Sequence, residues 1–159
     1  METKRCIVQN LKEDDYDDVK LLYFSNKVRE FLGGVISNER YNSNFKEMID
    51  SKEDALYWVI RLKNTNDFIG LVSIDTHHDG VHKELSYQFL PDYWGNGYAL
   101  EVIRKVLDFI SRELNIKNVV SETRVENKAS CRLLNSLGMK VVDKVCRFNA
   151  EQYIFSLRL

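Results

Sequence analysis

Residues 89 to 110 read FLPDYWGNGYALEVIRKVLDFI. A strand-like run stops at Pro91. Gly95 and Gly97 follow, in a chain with only 7 glycines. Ala99, Val102, Ile103, Val106, Leu107 and Ile110 then recur at the i, i+3, i+4, i+7 spacing of a single helical face. A strand, a glycine turn and an amphipathic helix in that order point to a sheet with helices packed on it. The turn also poses a chemical question. The first amides of a helix have no intrahelical partner and lie at the positive end of its dipole. Glycine lacks a Cβ, so its backbone can bend sharply and come close to a ligand. The turn is therefore either a tight connection that needs glycine or a cradle for a phosphate or pyrophosphate. On spacing alone the tight turn is the simpler reading. No GxxxxGK[ST] is present, which excludes a P-loop, and GxG without a third glycine is a weak dinucleotide signal.

Upstream of the turn the pattern is β. In VHKELSYQFL, Leu85, Tyr87 and Phe89 alternate with more polar neighbours. ALYWVIRL and FIGLVSI are rich in β-branched and aromatic residues and are joined by KNTND, a good hairpin connector. With HHDG as a further turn, the three runs form a meander. Before them, RCIVQNL reads as a strand and DDYDDVKLLYF as a helix, its early acids complementing the dipole. Residues 38 to 51 are a weaker helical candidate, with Tyr41, Phe45, Met48 and Ile49 on one side. Downstream, IKNVVSETR is a short strand. Asn127 can cap a helix that buries Leu133, Leu134 and Leu137, and Gly138 suits its C′ position. MKVVDKVCRF and QYIFSLRL close as a hairpin. The expected class is α+β, a mixed and mostly antiparallel sheet of about seven strands with about four helices on both faces.

The totals narrow the function classes. With 159 residues and no internal repeat or Pro/Ser-rich linker, one domain spanning residues 1–159 is expected. The formal net charge of −1 gives no support to a nucleic-acid or membrane-surface binder. Three cysteines without CxxC spacing argue against a disulfide framework or structural zinc. No apolar run reaches the roughly 18 residues of a membrane span. METKRCIVQN carries no signal-like apolar region, so a cytoplasmic setting is expected. His77, His78, His82 and Asp79 cluster around one turn, where they read as exposed polar residues; no metal site is expected.

Two segments together resemble the GCN5-related N-acetyltransferase family. Trp94-Gly95-Asn96-Gly97-Tyr98-Ala99 occupies the six positions of its [Q/R]-x-x-G-x-[G/A] motif, with Trp94 in place of Gln or Arg. That replacement is similar to the RimJ/RimL-type branch (ribosomal-protein N-terminal acetyltransferases). Its E-[IL]-[GS]-Y-x-[LIF]-x-P-x-[YF]-W-G-x-G-Y-[AG] is matched nearly throughout by residues 84 to 99, ELSYQFLPDYWGNGYA. NKASCRLLNSLGM, residues 127 to 139, resembles the branch's second motif, N-x-x-S-x-x-[VL]-[LM]-x-x-[LA]-G-F, with Met139 for Phe.

The resemblance implies an acetyl-CoA-dependent acyltransferase fold whose sheet splays into a V. The pyrophosphate would rest on the amides of Trp94, Gly95, Asn96, Gly97, Tyr98, Ala99 and Leu100. The pantetheine arm would run beside Phe89 and Leu90, with Asn127 touching it. The amine must attack in its neutral form, which makes Glu84 the candidate base, directly or through water. Backbone amides near Phe89 and Leu90 would face the carbonyl oxygen. Ser130, in the first turn of the Asn127-capped helix, would hydrogen-bond or protonate the leaving sulfur. Other branches carry a tyrosine one turn later, where this chain has Leu134. Tyr87 reads as core or pocket wall. Cys131 has no histidine partner in view, so direct transfer is expected. The acceptor is open between a protein N-terminus and a small-molecule amine, faced by residues 24 to 45, HHDG and the last hairpin connection. Monomer and homodimer both stand. The alternative is a non-catalytic acyl-CoA sensor or interaction module, told apart by whether replacing Ser130 and Glu84 changes an activity.

Overall fold

The computed structural model describes residues 1–51 and 55–159. In chain order the elements are β1 (Cys6–Asn10), α1 (Tyr16–Tyr23), α2 (Asn26–Arg29), α3 (Asn38–Asp50), β2 (Leu56–Leu62), β3 (Phe68–Thr76), β4 (Lys83–Phe89), α4 (Tyr98–Glu113), β5 (Asn118–Arg124), α5 (Lys128–Ser136), β6 (Lys140–Arg147) and β7 (Ala150–Arg158). The seven strands make one sheet in the order β1-β2-β3-β4-β5-β7-β6. Every neighbouring pair is antiparallel except β4 and β5. The expected α+β class and strand number are present. The addition is α2, a single turn capped by Ser25, whose Oγ accepts from the Val28 amide at 3.3 Å.

Alternation along the strands sends side chains to two cores. Trp58 and Ile60 of β2 join Leu85 and Phe89 of β4 beneath α4 and α5. Val59 and Leu71 face Val19, Leu22, Tyr41 and Phe45 of α1 and α3. The α4 stripe read from sequence is the buried one, since Val102, Ile103, Val106, Leu107 and Ile110 all lie in the first core.

The closing hairpin is present, but its second strand is the interior one. β7 pairs with β5 from Asn118↔Arg158 to Arg124↔Gln152, and β6 is left at the edge. The side chains explain the choice. Gln152 and Phe155 of β7 are buried, whereas β6 is mostly exposed and carries Lys140, Asp143, Lys144 and Arg147. Charged residues and the irregularity at Val141/Asp143 suit an edge that should not recruit another strand.

One feature of the sheet places the site. β4 and β5 pair in parallel at Lys83↔Val119 and Glu84↔Val120. Past these pairs, side chains serve the next backbone groups. The Ser121 hydroxyl donates to the Leu85 carbonyl at 2.9 Å, and the Glu122 amide donates to Glu84 Oε1 at 3.4 Å. The rest of β4 has no ladder with β5, and this is the opening of the V. The other side of β4 is held closely. A Cβ on Gly70 of β3 would lie 2.6 Å from the Gln88 carbonyl oxygen and 2.7 Å from a Phe89 ring carbon.

Candidate active site

The glycine turn is built as an open amide cluster. Gly95 and Gly97 take positive φ values of 74° and 77°, and Gly97 is the N-cap of α4. The first intrahelical bond runs from the Glu101 amide to the Gly97 carbonyl, so the amides of Tyr98, Ala99 and Leu100 precede it. A Cβ on Gly95 would meet nothing within 4 Å, which leaves room above the loop. Such a cluster at the N-terminus of a 16-residue helix fits a pyrophosphate. Trp94 takes part differently from the expectation. Its amide is spent on the Pro91 carbonyl, and its indole Nε1 donates to the Phe89 carbonyl at 2.7 Å.

Arg5 holds this loop from behind and was not foreseen. Its Nη1 donates to the Asn96 carbonyl at 2.9 Å, and its Nε pairs with Glu101 at 2.8 Å. Its guanidinium lies 4.0 Å from the Tyr98 ring centroid. The Arg5 amide completes the clasp on Glu101 at 2.9 Å. These partners are 91 and 96 residues from Arg5 in sequence, beyond the reach of any local signal.

At the gap, the edge of β4 divides its groups. The Leu90 amide donates to Ile69 at 2.9 Å, so it is not free for a ligand. Strand alternation then turns the Phe89 and Tyr87 amides toward β5, as it does the Leu85 carbonyl that Ser121 meets. Phe89 is thus the expected edge residue with its amide facing the gap.

Asn127 is the N-cap of α5, its side chain accepting from the Ser130 amide at 3.1 Å. Ser130 Oγ lies 2.7 Å from the Tyr87 hydroxyl. Tyr87 is therefore more than a wall. Burial pushes its phenol up to about 12, while the bond to Ser130 pulls the other way, so it stays protonated. Leu134, where other branches carry tyrosine, is fully buried in the core. The phenol beside Ser130 comes from β4 instead. Cys131 is a half-buried thiol whose pKa burial raises, a poor setting for a thiolate nucleophile.

Glu84 stands on the opposite face of the sheet from Ser130, and the gap connects the two sides. Burial lifts its carboxyl above the ordinary range. His77, the Glu122 amide and His78 oppose that rise, while the Glu122 charge adds to it. Glu84 lines a cavity of about 320 Å³ with Tyr23, Tyr57, Asp75, His78 and Gln88. A second cavity of about 450 Å³ shares Tyr23, Tyr57 and Asp75 and adds Asn44, Glu47 and Met48. Among the described residues, neither is lined by lysine or arginine. The Tyr57 hydroxyl reaches Asp75 Oδ2 at 3.4 Å.

The histidine turn departs from the expectation of exposed polar residues. His82 is partly exposed, but His77 is buried. Its Nδ1 lies 3.0 Å from Asp79 and its Nε2 3.2 Å from Glu122. Glu122 also receives Arg147 Nη1 at 2.7 Å. No metal-ligating cluster of three or more side chains occurs among the described residues.

A family model described as "Acetyltransferase (GNAT) domain" matches residues 5–140. The uncharacterized N-acetyltransferase YoaA of Bacillus subtilis (strain 168) is 25% identical over 146 residues, 88% of this chain and 82% of that one. Among solved structures, a spermidine N-acetyltransferase from Vibrio cholerae, in complex with CoA and spermine, superposes with a TM-score of 0.83 at 17% identity, covering 96% of this chain and 95% of that one. The ribosomal-protein-S5-alanine acetyltransferase from Vibrio fischeri gives 0.83 at 17% identity, covering 99% and 95%.

Proposed function

We propose, for a chain that belongs to the GNAT acetyltransferase family, that it is an N-acetyltransferase of one domain that joins acetyl-CoA to a cationic primary amine across the β4–β5 gap. The observation that carries this reading is the gap itself. It has free amides on the cofactor side, the Tyr87–Ser130 pair beside it, and Glu84 in a cavity on the far face. Residues 84–99 and 127–139 further support the RimJ/RimL-type branch.

Acetyl-CoA, when bound, supplies a thioester carbonyl that accepts the amine and a thiolate that leaves. The amides of Gly95 to Leu100 would hold its pyrophosphate, and its arm would run beside the β4 edge at Phe89. Glu84 receives the proton that the ammonium must lose before a C–N bond forms. The Phe89 amide is the donor placed for the carbonyl oxygen. As the C–S bond breaks, the Ser130 hydroxyl donates to sulfur and is resupplied by Tyr87 at 2.7 Å. Asn127 fixes Ser130 through the cap.

For the acceptor, the two solved likenesses act on different amines at equal TM-scores, so the fold gives no preference. The lining does. Glu84, Asp75 and Glu47 with tyrosine walls, and no lysine or arginine among the described lining residues, favour an amine carrying additional positive charge. A thiol-release screen tests the reading, with acetyl-CoA against diamines, N-terminal peptides and aminoglycosides. We expect amine-dependent CoA release that Ser130→Ala slows at least tenfold. Acetyl-CoA binding without release toward any amine would instead support a non-catalytic CoA sensor.

A further inference from the structure

We propose that His77 is a positioning residue for the transfer: clamped between Asp79 and Glu122, it holds a positive charge beside Glu84 and keeps that carboxyl ionised at the gap. The proposal rests on the reading of Glu84 as the base.

The geometry begins with the two ring nitrogens. Nδ1 faces Asp79 Oδ2 at 3.0 Å and Nε2 faces Glu122 Oε2 at 3.2 Å. A neutral imidazole has one donor and one acceptor, and would set a lone pair against one carboxylate. The Asp79 amide also approaches Nδ1, at 3.4 Å, but the Asp79 carboxylate lies closer, and the imidazolium is the form that donates to both carboxylates. The ring itself is 3% exposed, while its partner Asp79 is 38% exposed. Burial works against the charge, yet the bonds to Asp79 and Glu122 outweigh it, and the ring's affinity for the proton is raised overall.

The surrounding charges show why a cation is needed. From β4 comes Glu84, whose register partner Asp75 lies two residues before His77. From β5 comes Glu122, 7% exposed, whose amide meets Glu84 and whose Oε1 is buried without a hydrogen-bond partner among the described residues. From the end of β6 comes Arg147, which binds the same Glu122 oxygen as His77. From the turn come Asp79, held well below the ordinary carboxylate range by the His82 and Val81 amides, and the rings of His78 and His82. Glu84, Glu122 and Asp79, with Asp75 across the register from Glu84, therefore share the buried His77 and the half-buried Arg147. Removing His77 leaves Arg147 alone to offset Glu122 beside Glu84, and a like charge nearby favours the protonated acid.

The test is a carboxyl titration by 13C NMR of the full chain, with the Glu84 signal assigned by its loss in Glu84→Gln. His77→Gln is expected to move the Glu84 midpoint upward by about one pH unit, a tenfold loss of the ionised form on the acidic side. An unmoved or lowered midpoint overturns the proposal. 15N spectra of the unsubstituted protein give a second test that needs no variant. Both His77 ring nitrogens are expected to be protonated at pH 7, and a neutral ring there overturns it. Kinetics separate the two readings. If Glu84→Gln acetylates as fast as the parent chain, the base assignment fails. If Glu84→Gln is inactive and the midpoint is unmoved by His77→Gln, only the role of His77 fails.

Discussion

At the scale of the residue, Glu84 carries a conflict between stability and chemistry. Its carboxyl is raised chiefly by burial. A carboxyl raised in the native state binds its proton more tightly folded than unfolded. Its ionisation therefore costs stability progressively as pH rises from the ordinary carboxylate range through the raised native value, and the full cost is present above that. Glu84→Gln removes the cost. The variant is expected to melt higher than the parent at pH 7, with the difference shrinking toward pH 4, while kcat falls by on the order of 10²–10⁴. Calorimetry at both pH values and steady-state rates check it; a variant that is both slow and less stable at pH 7 would contradict the burial account. Glu84 was legible in the sequence because it sits inside a contiguous motif. His77 and Glu122 were not. They are 45 residues apart, and only the pairing of strands brings them to 3.2 Å.

Elements tell the same story one level up. α5 begins and ends on local chemistry. Asn127 caps it, and at the far end the Met139 amide reaches Leu134 and the Gly138 amide reaches Asn135, with Gly138 at φ 87°. That is a Schellman closure, and both ends could be read from the sequence because each spans a few residues. Asn127→Ala should cost about 1 kcal/mol in urea denaturation. It should also lower kcat more than it raises the KM for acetyl-CoA, because Ser130 loses its fixed position. β4 is located by a contact the sequence does not advertise. Gly70 in mid-strand marks a close backbone approach, but the partner is known only from the β3–β4 register. Gly70→Ala pushes on the Gln88 carbonyl and the Phe89 ring. It is expected to lower the melting temperature and weaken acetyl-CoA binding several-fold by titration calorimetry. Unchanged binding would show that the Phe89 edge tolerates the shift.

On the scale of the whole molecule, the sheet separates the proposed acetyl-CoA side from the acidic cavities. α4 and α5 frame the proposed acetyl-CoA side, and α1 and α3 with β2 and β3 frame the acidic cavities. Asp75→Asn and Glu47→Gln, both on the acceptor side, are therefore expected to raise KM several-fold for a diamine. They should leave acetyl-CoA binding unchanged and affect an uncharged-tail monoamine far less; equal effects on both amines would refute a second cationic subsite. The meander and the closing hairpin were legible from alternation and turn chemistry. Which hairpin strand lies inside was also written, in the apolar character of β7 against the charges of β6, but only as a comparison between the two strands. The interior place of β7 has a consequence for synthesis. A ribosome that has released α5 has already made Glu84, Phe89, Ser130 and the glycine loop. At that moment β5 is tied to the rest of the sheet by two residue pairs on one side and has nothing on the other. The β4–β5 gap is therefore expected to take its final shape only once Gln152 to Arg158 pair beside β5.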